Sequence, residues 1–243
     1  MTDIKKQRKF KDHGHADVLV ARERVVSIID AIDPDDLVLA IKRAPSLRGM
    51  ILGYIAEEMF EKHVLNEEVL FTGIIKHDDH DRTNNKSDRS FCYKKRVYTV
   101  QLKSIQTNSI AWHLNENILI ADVQNDASDR RKITLPNGNQ VETTNYQIGD
   151  FDILAVPLFP FTGEWDFAYK RNRDCRKCES NKYSEEDRKY LLSTTEKITW
   201  PLAPDWTTQL ETLLDNSIGE ELDEDDVLVT DIPTPLADAM KEN

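Results

Sequence analysis

Lys94-Lys95 sits between two runs that both read as β-strand, Asp88 to Tyr93 and Arg96 to Ser104. A two-residue link leaves those strands little choice but to pair with each other, antiparallel. It also sets their register: residues whose numbers sum to 189 stand opposite, which puts Asp88 across from Gln101. Side chains alternate along a strand, so Gln101 and Lys103 project from one face and Tyr98, Val100 and Leu102 from the other. Val100 and Leu102 are apolar enough to mark a central strand rather than an edge. A carboxylate, an amide and a lysine are therefore expected on one patch at a strand end.

Those groups suit the hydrolysis of a phosphodiester. That reaction must neutralise a developing pentavalent anion and generate hydroxide near neutral pH. A divalent cation does both, and Mg²⁺ (or Mn²⁺) prefers oxygen ligands. Asp88 supplies a carboxylate, and the Gln101 side chain and the Leu102 backbone supply carbonyl oxygens. Lys103 can stabilise phosphoryl charge or orient the attacking water. Taken singly, each residue has a plainer reading: Lys103 as a solvated edge lysine, Asp88 as a strand-boundary acid. The conjunction carries the expectation.

Around this hairpin the chain changes texture once. Residues 1–15 are polar and basic and read as a flexible arm. Apolar residues recur at helical spacing from Ala16 to Ile32. Asp33-Pro34 reads as an N-cap with proline at the first helical position, opening a second helix to about Arg43. Pro45-Ser46 restarts a third, to about Leu65. Strand-like segments follow at Glu68 to Ile75, Ile118 to Val123, Phe151 to Leu158 and Trp165 to Tyr169. Pro136-Asn137-Gly138-Asn139 is a turn signal that makes Lys132 to Thr143 a second hairpin. Ser184 caps a short helix to about Leu192, and Asp205 to Leu214 reads as a last one. The order predicts an α/β domain of mixed α+β character, a central mixed β-sheet flanked by helices, with further helices at the N-terminus. The implied partition is 1–45 (arm and helices), 46–214 (main domain) and 215–243 (acidic disordered tail).

The net charge of −12 weighs against a nucleic-acid partner only until its distribution is read. Residues 215–243 hold ten acids and one lysine, which leaves a net of −3 for residues 1–214. Basic clusters remain at Lys5 to Lys11, Lys94 to Arg96 and Lys170 to Lys177. No run of about 18 apolar residues offers a membrane span. The charged start lacks the apolar stretch of a secretory signal, and three cysteines make no even disulfide framework. A cytoplasmic setting, away from membranes, is expected.

Asp88 followed by Gln101-x-Lys103 resembles the PD-(D/E)XK, restriction-endonuclease-like nucleases, in a Gln-x-Lys variant. The stretch Arg48-Gly49-x-x-x-Gly53-Tyr54-Ile55-Ala56-Glu57 resembles the opening helix of that fold, which often donates a glutamate to the metal. Gly149-Asp150-Phe151-Asp152 through Pro157, then Trp165 to Tyr169, resembles its closing strands. Two positions depart from the pattern: Gln101 replaces the usual acid, and Ser87 rather than proline precedes Asp88. The resemblance implies a Mg²⁺-dependent endonuclease acting on DNA, of restriction or defence type. Glu57, Asp88, Gln101 and Leu102 would hold metal, and Lys103 would assist the chemistry. It also makes a homodimer that cuts both strands an expected assembly. The neutral Gln101 and the acidic C-terminus support the alternative, a catalytically inactive nuclease-like module that binds DNA or protein.

Other clusters read more plainly. His77 to Asp81 is a polar loop before it is a metal site, and Cys175-x-x-Cys178 is half of a zinc site with no second pair. The arginines and lysines around that cysteine pair suit a basic loop approaching phosphates. Asp150 and Asp152 are either additions to the metal patch or turn residues, and Lys170 reads as a surface lysine.

Overall fold

The computed structural model describes residues 31–66, 70–77 and 87–221, and the chain divides between Gly49 and Met50 into two compact units. The expected basic arm and most of the helix expected over residues 16–32 lie outside the described residues. In the first unit, α1 (Pro34–Arg43) starts as its sequence dictates. The Asp33 side chain accepts from Asp35 N at 2.8 Å, Pro34 occupies the first turn, and Lys42 and Arg43 close the last. α2 (Pro45–His63) follows and crosses the division.

The second unit continues with β1 (Thr72–Lys76), β2 (Arg89–Tyr93) and β3 (Arg96–Leu102). Next come β4 (Ala111–His113), β5 (Ile118–Gln124), β6 (Asp126–Thr134) and β7 (Gln140–Asn145). Then β8 (Ile153–Pro157), a single-turn α3 (Phe159–Thr162), β9 (Phe167–Arg171) and a single-turn α4 (Glu185–Arg188). β10 (Thr195–Trp200) and α5 (Leu210–Glu221) complete it. The central sheet runs β1-β2-β3-β8-β9, and it is mixed because β3 pairs parallel to β8 while its other pairs are antiparallel. The remaining strands form a three-stranded sheet, β10-β5-β4, and the two-stranded β6-β7 hairpin.

The β2–β3 register is the one the two-residue link predicts: Arg89↔Val100, Ser90↔Thr99, Phe91↔Tyr98, Cys92↔Val97, Tyr93↔Arg96. Lys94 and Lys95 both take positive φ, 48° and 66°, the left-handed pair that a tight antiparallel turn needs. β3 sits in the middle of the sheet, as Val100 and Leu102 indicate. One sheet face packs Tyr98, Val100, Leu102 and Ile153 against Phe60 of α2 and Leu210 and Leu214 of α5. The other packs Leu154, Val156 and Ala168 with Val123, Tyr146, Ile198 and Trp206. With both faces covered, β8 is buried at every residue, which is why its sequence is a continuous apolar run.

Several boundaries move. The first strand begins at Thr72 rather than Glu68, and the second hairpin is longer than Lys132 to Thr143, with Gly138 at φ 87° in its turn. The helix expected over Ser184–Leu192 is one turn, although Ser184 caps it by accepting from Asp187 N at 3.1 Å. The last helix starts at Leu210, not Asp205, and continues to Glu221, so residues 215–221 of the expected disordered tail are helical. Asp215 on that helix accepts from Lys94 Nζ at 2.6 Å and from the Tyr93 hydroxyl at 3.0 Å. Residues 222–243 lie outside the described residues. Strand β10 was not anticipated: Glu196 points inward beside Ile198, and an inward acid breaks the alternation that marks a strand. Among the described residues no helix is long and apolar enough to cross a membrane.

Candidate active site

Asp88 stands one residue before β2, where its backbone is held on both sides. Its N–H donates to Val100 O at 2.9 Å, and its C=O accepts from His77 N at 3.1 Å. The carboxylate oxygen Oδ2 receives two donors from β3, Gln101 Nε2 at 2.5 Å and Leu102 N at 2.7 Å. Gln101 is buried at 4% exposure and Asp88 is half-buried, so the amide lies inside the protein while the carboxylate reaches toward solvent. The Leu102 side chain goes to the opposite, apolar face. In a strand the C=O and N–H of one residue leave by the same edge, so the Leu102 carbonyl lies on the Asp88 side.

Lys103 follows directly. Its N–H continues the sheet to Ala155 O at 3.0 Å, while Nζ donates to Asp126 O at 2.9 Å and lies 5.4 Å from the centre of the Tyr146 ring. Burial lowers the proton affinity of this amine below that of an ordinary lysine, against the upward pull of Asp88, Asp126 and Glu57. Lys103 is thus not a solvated edge lysine. Burial and the negative charge of Asp88 push the Tyr146 phenol well above its usual value. Arg131 covers the same ring at 5.2 Å and pairs with Asp150 Oδ2 at 2.9 Å.

Asp150 also accepts from Gln147 N at 2.9 Å, which is a turn role. Asp152 Oδ2 accepts from Thr99 N and Thr99 Oγ1, both at 2.7 Å, fastening β3 to the start of β8. Tyr146, Asp126 and Arg131 were not singled out in the sequence. Nothing local marks them, because they reach Lys103 only when the β6-β7 hairpin folds back.

Glu57 approaches from α2, with its side chain 13% exposed. It is neither a wet helix face nor idle: Arg89 Nη1 lies 3.7 Å and Lys76 Nζ 3.8 Å from Oε2. Arg89, fully buried, also reaches Glu58 at 3.3 Å and Glu61 at 3.1 Å, one guanidinium against three acids of one helix. The more exposed Glu58 is held below the usual carboxylate range by its hydrogen bond to Lys76. A Cβ placed on Gly53 would meet nothing within 4 Å, so the space one turn before Glu57 is open. Arg89 is a neighbour that sequence reasoning passed over. Its signal was a lone cation in an otherwise strand-forming run, matched by Glu57, Glu58 and Glu61 at i, i+1 and i+4.

The Asp88 carboxylate, the Gln101 amide and the Leu102 backbone lie together, and the charge of the Glu57 carboxylate is felt at Lys103 beside them. Among the described residues no three His, Cys, Asp or Glu side chains form a metal cage. That donor set does not fit a zinc centre. It does fit Mg²⁺, which retains several waters and takes one or two carboxylates from the protein. Gln101 now turns its Nε2 to Asp88, and half a turn of the amide would present Oε1 instead.

The remaining candidates separate from this site. Cys175 and Cys178 are buried in two different apolar clusters, so the pair is core packing, and burial pushes the Cys175 thiol well above its usual value. Lys170 is not a surface lysine: at 2% exposure it pairs with Asp205 at 2.7 Å and Glu196 at 3.7 Å and lies 4.4 Å from the Trp206 ring. His77 Nε2 contacts Ser90 Oγ, and His80 lies outside the described residues.

No family of known proteins matches this chain. No curated protein matches it either. Among solved structures, a bacterial homing endonuclease, I-Ssp6803I, is similar at 14% identity, covering 72% of this chain and 96% of that one with a TM-score of 0.35. At that level the likeness leaves the functional reading to the side chains themselves.

Proposed function

We propose that this protein is a Mg²⁺-dependent endonuclease of the restriction-endonuclease-like, PD-(D/E)XK type that hydrolyses DNA phosphodiesters. The observation that carries the reading is the placing of Asp88, Gln101 and a half-buried Lys103 at one strand end, with Lys103 Nζ fixed by Asp126 O and the Tyr146 ring. Asp88, Glu57, the Gln101 amide oxygen and the Leu102 carbonyl would hold the ion. When bound, Mg²⁺ would supply Lewis acidity and a nucleophilic water near neutral pH. Lys103 faces the developing charge as a cation. Arg89 balances the charge of Glu57 and so holds it near the site without burying an unpaired acid.

A second reading, a DNA-binding module without catalysis, draws on the neutral Gln101 and on the absence of a three-ligand metal cluster among the described residues. Cleavage of supercoiled plasmid with Mg²⁺ or Mn²⁺ separates the two. Metal-dependent nicking is expected, lowered by roughly 10²-fold or more in Lys103→Ala and in Asp88→Ala, the scale of losing one group aimed at transition-state charge. Nicking unchanged in both variants would remove the assigned site. DNA binding without nicking in the wild type would establish the module.

A further inference from the structure

A groove of about 310 Å³ opens between the β6-β7 hairpin and the segment 178–183. Arg130, Thr144 and Asn145 line it from the hairpin, and Ser180, Lys182 and Tyr183 from the segment. Each side thus carries one exposed cation, Arg130 or Lys182, together with hydroxyl or amide groups. One acid, Glu179, also lines the groove, with its carboxylate 4.0 Å from Arg176, so the two cations face a single opposing charge.

The groove is built in advance. The Tyr183 hydroxyl donates to Thr143 Oγ1 at 2.6 Å, Thr143 Oγ1 donates to Asn145 Oδ1 at 2.8 Å, and Asn145 Nδ2 donates to Leu192 O at 2.7 Å. Thr143 and Asn145 are buried at 0% and 6% exposure, so this chain ties the two walls together below the surface. Lys182 Nζ also reaches across, to Glu142 O at 3.1 Å. Walls fixed by buried hydrogen bonds and topped by cations and hydroxyls match the groups that contact sugar and phosphate in nucleic-acid complexes.

The hairpin that lines the groove also carries residues that reach Lys103. Asn145 is followed by Tyr146, whose ring lies 5.4 Å from Lys103 Nζ. Asp126, the partner of Asn145 across the hairpin, gives its carbonyl to the same Nζ at 2.9 Å. Of the neighbouring arginines, Arg130 lines the groove while Arg131 covers Tyr146.

We propose that this groove binds the sugar–phosphate backbone of a nucleic-acid strand and leads it to Lys103; only the delivery to a cutting centre rests on the nuclease reading. The test is fluorescence anisotropy of the full chain with a labelled DNA duplex in EDTA, at salt from about 50 to 200 mM. Wild type is compared with Arg130→Gln, Lys182→Gln and the double variant, and folding is checked by circular dichroism. Arg130→Gln removes none of the bonds that tie the walls, so it keeps the test valid if Lys182→Gln loosens the segment.

Each single substitution is expected to weaken binding roughly 5- to 10-fold. The double variant should flatten the dependence of log K on log salt by about 1.8, because each lost phosphate contact removes about 0.9. Wild-type binding with unchanged affinity and slope in the variants would overturn the groove and leave the nuclease reading standing. Binding that depends on both cations, without metal-dependent cleavage, would uphold the groove and overturn the nuclease reading. Absence of DNA binding by the wild type would overturn both.

Discussion

Gln101 donates through Nε2 to Asp88 Oδ2 at 2.5 Å, and a glutamate in its place could not. In Gln101→Glu two carboxylates would meet at a buried position, where like charges repel. Without metal that variant is expected to lose about 1–3 kcal/mol of stability, the cost of removing one partner from a buried polar group. An added carboxylate binds Mg²⁺ more tightly than a neutral amide oxygen, so the ion should recover stability in the variant more than in the wild type. Thermal unfolding in EDTA and in Mg²⁺ checks this, and equal metal responses in the two proteins would remove Gln101 from the metal site. How much of this site could be read from sequence varies by residue. The Asp88–Gln101 contact was legible because a two-residue link permits one register, whereas Glu57 was singled out only through the resemblance of its helix. Arg131 and Tyr146 were not, since their neighbours are chosen by a hairpin that folds back from a distance. Lys170 was misread for the same reason: its burial is decided by Glu196, Asp205 and Trp206, all far along the chain.

The β2–β3 hairpin turns on two lysines held at positive φ, a conformation that costs most non-glycine residues about 1–2 kcal/mol each. Lys94 offsets its share by pairing with Asp215 and lying 5.1 Å over the Tyr93 ring. For Lys95 no such contact is described, so Lys95→Gly is expected to raise stability by about 0.5–1 kcal/mol, after the entropy that glycine adds to the unfolded chain. A shift of the urea midpoint to higher concentration at unchanged slope would show it. A lower midpoint would mean that the Lys95 side chain contributes more than its backbone strain costs. Other elements explain the boundaries that sequence misplaced. β10 hides because Glu196 faces inward, and α5 outlasts its expected end because Asp215 is tied to the hairpin turn rather than belonging to a free acidic tail.

Across the whole molecule, Lys170 of β9 and Glu196 of β10 join the central sheet to the three-stranded one, each at 2% side-chain exposure. Lys170→Met would leave Glu196 buried without its cation, and a loss of about 3–5 kcal/mol is expected. The double variant Lys170→Met/Glu196→Gln should recover part of that, because no uncompensated charge remains. Chemical denaturation of the four proteins of that cycle measures it. Additive losses would mean that the two side chains do not act as a pair. The central sheet itself has contacts of very different reach. Asp88 and Gln101 are 13 residues apart across a tight turn, whereas the parallel pairing that joins β3 to β8 links Val100 to Ile153. A hairpin of this kind closes in about 1–10 μs, while long-range parallel pairing waits for loop closure. Early in folding, therefore, Asp88 has already met Gln101 while Lys103 is still bathed in water, without Asp126 or Tyr146 above it. A lysine in that state lacks the surroundings that fix its amine, so the candidate site is complete only once the last distant contacts have formed.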